Sequence, residues 1–158
     1  MGREEVIREL KAYFRIEELV SKQVFDTYKG DAWALFQTDT LHCLLIMRKG
    51  INKPFSVNNW LWGGEYSQRG FRENLSEIVL NKTLKNKLYT SGHVLGCAID
   101  FVVSGMDAED VRNWIVEHAD LFPCKVRLEH KLNGSLITWI HFDTKHYERH
   151  PKIYLFNM

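Results

Sequence analysis

The stretch Ser91-Gly92-His93-Val94-Leu95-Gly96-Cys97-Ala98-Ile99-Asp100-Phe101-Val102-Val103 joins a glycine-punctuated start to an apolar end. Its second half, Ala98 to Val103, reads as an inner strand, because the apolar run is nearly continuous. Asp100 interrupts that run, and a carboxylate among apolar neighbours is costly unless it finds a partner. His93 stands seven residues before it. A second imidazole, His141, sits in another apolar run, Ile137-Thr138-Trp139-Ile140-His141-Phe142. Polar groups buried on neighbouring strands need a common partner, and one cation serves them together.

The elements around this stretch follow from periodicity and punctuation. Residues 4–21 carry Val6, Ile7, Leu10 and Phe14 on one helical face, with a less regular phase after Tyr13. Asp39 is placed to cap a second helix, Leu41, Leu44, Leu45 and Met47 form its apolar side, and Gly50 is expected to end it after Arg48 and Lys49. Pro54 to Val57 suggests a short strand, followed by the polar, glycine-rich loop Asn58 to Gly64. Residues 65–90 read as a loop and a weak helix. After Ser104-Gly105, Asp107 caps a helix whose stripe is Val111, Trp114, Ile115 and His118, with Met106 and Val111 as a staple across the cap. Two strands near 125–129 and 136–142 flank Asn133-Gly134, and Lys152 to Phe156 supplies an edge strand. Helices first, then strands interrupted by a helix, is an α+β pattern with a small antiparallel sheet.

Composition sets the outer bounds. A chain of 158 residues, 45% hydrophobic and 26% charged, is most simply one globular domain over 1–158. The net charge of +1 gives no electrostatic footprint for nucleic acid or an anionic membrane. No apolar run approaches a membrane span, so membrane insertion is not expected. Cys43, Cys97 and Cys124 contain no CxxC pair and read as reduced, buried thiols. The amphipathic, charged start lacks the apolar centre of a signal peptide, so synthesis in the cytoplasm is expected.

The polar residues have two readings: a satisfied histidine in a loop with an aspartate ending in a turn, or a hydrolytic zinc site. Such sites take three protein ligands from His and Asp or Glu and leave the fourth place to water. His93, Asp100 and His141 make a His₂Asp set, and Glu129 supplies a second carboxylate as base for the water. His118 reads as helix core, His130 as a strand-end residue, and His42, His146 and His150 as helix or tail. Trp60 and Trp62 suit either a cleft wall or the core.

The pattern Ser91-x-His93-x-x-Gly96-x-Ala98-x-Asp100, with a later Glu and Trp139-x-His141, closely resembles the zinc D,D-peptidases of bacterial cell-wall metabolism. That family includes D-Ala-D-Ala carboxypeptidases and dipeptidases and the L-alanyl-D-glutamate endolysins of phages, and it shares its fold with the hedgehog signalling domain. The resemblance spans about residues 50–143. It implies a hedgehog/DD-peptidase-like fold with N-terminal and crossover helices, zinc on His93, Asp100 and His141, and Glu129 as base. It also implies that Arg72 of Arg69-Gly70-Phe71-Arg72 binds a substrate carboxylate and that Ser91 positions substrate. Arg69 departs from the family's usual small residue there. The implied substrate is a peptidoglycan stem peptide of D-Ala-D-Ala or L-Ala-D-Glu type. A phage lysis or virion-associated protein would reconcile a wall substrate with the missing signal peptide. The alternative is a non-catalytic zinc-containing wall-binding or phage structural domain of the same fold.

The hairpin provides an internal check. A plain two-residue turn at Asn133-Gly134 would pair Glu129 with Thr138 and send His141 to the opposite face. A base and a ligand on one face therefore require an odd-numbered loop with Gly134 left-handed, or a bulge within one strand. A regular two-residue turn in the structure would count against Glu129 as base.

Overall fold

The computed structural model describes residues 1–158. Five α-helices and six strands give an α+β fold: α1 (Arg3–Leu10), α2 (Lys22–Tyr28), α3 (Thr38–Ile51), α4 (Glu77–Leu84), α5 (Ala108–Glu117), β1 (Phe55–Ser56), β2 (Ala98–Val103), β3 (Val126–Leu132), β4 (Ser135–Leu136), β5 (Ile140–Asp143) and β6 (Ile153–Asn157). The sheet runs β1-β2-β5-β3, with β4 as the hairpin partner of β3. These pairings are antiparallel, whereas β6 joins β3 in parallel. No helix is long and apolar enough to cross a membrane.

Period-two alternation gives the sheet two chemically different faces. Ile99, Phe101 and Val103 of β2, Val126 and Leu128 of β3, and Ile140 and Phe142 of β5 enter the hydrophobic core with α1, α3 and α5. Full burial of each such side chain contributes about 1.5–3 kcal/mol. Phe55 stacks on Phe101 with ring centroids 4.4 Å apart, fastening the short β1 to the sheet. The intervening residues, Asp100, His141, Asp143, Arg127 and Glu129, line a cleft on the other face.

The helical layer differs from the sequence reading at its ends. The helix expected over 4–21 stops at Leu10, and a separate α2 begins after Ser21, whose Oγ accepts from the Val24 amide at 3.2 Å. This break accounts for the lost phase after Tyr13. Gln37, not Asp39, occupies the N-cap of α3, and Asp39 complements the dipole from the first turn. Gly50 lies inside α3, which ends at Asn52 in the left-handed conformation. The glycine is there for another reason: a Cβ would sit 2.3 Å from Cζ2 of Trp114, so it lets α5 approach. His118 is half-buried, stacked on Trp114 at 4.3 Å, and not core. Trp62 is exposed, so it serves neither core nor cleft.

The hairpin turn is a two-residue one, with Lys131 facing Leu136 and positive φ at Asn133 and Gly134. The odd-numbered loop is thus not formed. Taken alone this regular turn counts against Glu129. The returning strand is then interrupted, however, which is a break between two strands and not the expected bulge within one: three residues down β3, Leu128 faces Phe142, six residues along the returning chain. Residues 137–139 absorb an offset of three between β4 and β5. An odd offset exchanges the faces, so Glu129 and His141 share the cleft side.

Candidate metal centre

The cleft face is built in two rows across the sheet. In one, Asp100 and His141 are direct cross-strand partners, and the register of β3 with β5 carries Glu129 opposite His141. In the next, Ala98 and Arg127 flank Asp143. The loop before β2 lowers His93 onto the first row. This approach requires small residues, since a Cβ on Gly92 would lie 2.6 Å from Ala98 Cβ and 3.3 Å from Asp143 Cβ. At Gly96 the backbone is left-handed (φ 67°), and a Cβ would meet the Leu35 carbonyl oxygen at 2.0 Å.

The three sequence-predicted ligands converge. One donor atom from each of His93, Asp100 and His141 lies within 4.8 Å of the others. His93 Nε2 is 3.3 Å from Asp100 Oδ2, and His141 Nδ1 is 2.6 Å from Asp100 Oδ1. The outer contacts orient the rings. His93 Nδ1 donates to the Gly70 carbonyl at 2.8 Å, which leaves the Nε2 lone pair facing the cluster. His141 turns Nε2 toward Asp143 Oδ2 at 3.5 Å; a proton held there leaves Nδ1 as donor to a metal. Asp143 is held in turn by Arg127, through Nε at 2.8 Å and Nη2 at 2.7 Å, and by the Lys145 amide at 3.0 Å. Two imidazoles and a carboxylate with this support could hold a metal ion.

The protonation states follow from burial against charge. Burial lowers the His93 pKa despite Asp100, favouring the neutral, ligating form. Burial acts the same way on His141, but Asp100 and Asp143 outweigh it and raise the imidazolium to about 9. For Asp143, burial is overcome by hydrogen bonds from His141 and Arg127, which hold its carboxyl at about 2. Asp100 is likewise ionised, its histidine partners outweighing burial. Glu129 is 6% exposed, and burial raises its carboxyl above the ordinary value against the pull of His141. A carboxylate shifted in that direction is a better proton acceptor near neutrality.

The other predicted residues take the cleft wall. Arg72 donates from Nε to the Gln68 carbonyl at 2.8 Å and from Nη1 to the Tyr89 hydroxyl at 2.9 Å, with Nη2 3.6 Å from Asp100 Oδ2. Ser91 lines the cleft, and its Oγ accepts from the Val94 amide at 3.4 Å. The cleft has a volume of about 580 Å³, and Trp139, Phe156 and Met158 are among its lining residues. His130 faces away, 3.0 Å from Glu109. Three contributors were not singled out from sequence: Asp143, Arg127 and Tyr89. The first two had a signal, since each stands two residues from a proposed site residue in a strand. Tyr89 lies in a loop and had none.

Comparison of the chain with protein-family models, with curated proteins and with solved structures finds no match.

Proposed function

We propose that this chain is a zinc metallopeptidase that hydrolyses a peptide bond in bacterial peptidoglycan, of D-Ala-D-Ala or L-Ala-D-Glu type. The observation that carries the reading is the cluster itself: His93, Asp100 and His141 within ligand distance of one another, with Glu129 on the same face. The choice of substrate rests on the resemblance of Ser91 to Asp100 and Trp139-x-His141 to the zinc D,D-peptidases.

Bound zinc would lower the pKa of water to about 7 and polarise the scissile carbonyl. The chain supplies the rest. His93 Nε2, an Asp100 oxygen and His141 Nδ1 would hold the ion. Asp143, fixed by Arg127, keeps the proton of His141 on Nε2. Glu129 takes a proton from the attacking water and delivers it to the leaving amine. Arg72 has five N–H donors; those not engaged by Gln68, Tyr89 and Asp100 remain for a substrate carboxylate.

The test is zinc analysis of the purified protein together with mass spectrometry of digested muropeptides, which also names the bond cut. Glu129→Gln should lower hydrolysis by on the order of 10²–10⁴ while zinc remains at one per chain. Zinc without release of new amino groups would favour the non-catalytic wall-binding reading. A metal-free reading has one observation in its favour: Asp100 is already met by His93, His141 and Arg72. Absence of zinc from the purified protein would establish it.

A further inference from the structure

The break at residues 137–139 decides which face Glu129 shares, and one side chain is bound to both of its ends. Arg112 of α5 is only 2% exposed. Its Nη2 donates to the carbonyls of Ile137 and Trp139, each at 2.9 Å, and its Nε donates to the Glu129 carbonyl at 3.1 Å. Nη1 is taken by Glu109 Oε1 at 2.7 Å, and the other Glu109 oxygen lies 3.0 Å from His130 Nε2.

Strands that fall out of register leave carbonyls without ladder partners, and buried carbonyls must be satisfied in some other way. At the near end the hairpin register still holds, with the Ile137 amide donating to His130 at 3.2 Å. Beyond it the carbonyls of 137 and 139 turn toward the guanidinium. The third carbonyl belongs to the base itself, on the opposite strand. A planar fork of donors can bind both strands at once, which a single ammonium on a flexible stem does less well.

We infer that Arg112 is a positioning residue: it bridges β3 and the 137–139 break, and so holds Glu129 and His141 on one face of the sheet. The inference rests on the peptidase reading for its catalytic consequence, but the placement is testable without it. Arg112 does not itself line the cleft and reaches the cleft residues Glu129 and Trp139 only through their carbonyls, away from the ligand atoms, so its substitution should leave the metal in place and misplace the base.

The zinc-loaded protein is compared with R112K and R112M. Labelled-protein NMR reads the cross-strand contacts between Glu129 and His141, and kinetics on soluble muropeptides separates kcat from KM. The expected result is that R112M keeps its circular dichroism and one zinc per chain, loses or shifts the Glu129–His141 contacts, and drops kcat on the order of 10²-fold with little change in KM. R112K should recover only part of kcat. Wild-type contacts in folded, zinc-loaded R112M would overturn the inference, as would full kcat in R112K. If neither variant folds, Arg112 holds the whole domain and the specific role falls. An inactive wild type that shows the register change only on substitution would reject the peptidase and keep the placement.

Discussion

Metal entry into this site would compete with a proton, and the ion pairs around His141 would set the size of that competition. Burial alone would lower its pKa, but Asp100 and Asp143 raise it to about 9 in the metal-free protein. Nδ1 can ligate only after that proton has gone, so at pH 7, about two units below the pKa, apparent zinc affinity is reduced about 100-fold. His93 adds no comparable penalty, because burial lowers its pKa. Affinity should therefore climb about tenfold per pH unit from 7 and level off near 9, and loading at pH 7 should release about one proton. Asp143→Asn brings two opposing effects. It takes away the carboxylate that orients His141, and losses from such outer contacts run to about 10–100-fold, or ~1.4–2.7 kcal/mol. It also removes one of the two anions that hold the competing proton. The deficit of the variant should accordingly be largest at alkaline pH and smallest near neutrality. Competition against a chromogenic zinc chelator between pH 6.5 and 9.5, at constant ionic strength, measures both profiles. A flat wild-type profile would refute the proton competition. Equal affinities for wild type and D143N at the alkaline end would refute the orienting role of Asp143.

The same protonation has a thermodynamic counterpart in the metal-free protein. His141 has its folded pKa raised from 6.5 to about 9, so its stabilisation is complete below 6.5 and is lost as pH rises through 9; urea titrations should register a decline of up to ~3 kcal/mol. Zinc should abolish that decline. Gly70→Ala places a Cβ 1.9 Å from the Leu19 carbonyl oxygen beside the main chain that accepts the His93 proton. A loss of about 1–3 kcal/mol and weaker zinc binding are expected, and unchanged values of both would show that the 70–72 segment does not support His93. Gly134→Ala, at φ 81° in the hairpin turn, should cost about 1 kcal/mol in chemical denaturation yet leave zinc affinity alone, because the face of Glu129 is set by residues 137–139.

The metal cluster was legible because burial and polarity disagreed in two apolar runs. Asp100 and His141 interrupt strands whose alternate residues are core, and such a conflict marks a site regardless of the fold. The α+β arrangement and β2 were equally readable, Ala98 to Val103 being the strand that forms. Helix ends were not. Gly50 looks like a stop in isolation and is instead a contact for Trp114, which lies on a distant helix. The hairpin shows the same limit. Asn133-Gly134 correctly signals a turn, but the break that follows is stabilised by Arg112, whose sequence position says only that it lies on an amphipathic helix. The parallel pairing of β6 with β3 also depends on contacts across the sheet. Asp143 and Arg127 could have been found by extending the period-two reading by one more residue on each strand.

The two-faced sheet also bears on how this gene can vary. Deleting a single codon within 140–143, or within the 137–139 break, would bring apolar side chains to the cleft and ionisable ones to the core. His141 would leave the candidate metal cluster and Ile140 and Phe142 would leave the core in one event. Length changes in 144–152, between β5 and β6, carry no such inversion of the ligand strand. Insertions and deletions among functional descendants of this sequence should thus collect in that loop and spare the seven codons from Ile137 to Asp143.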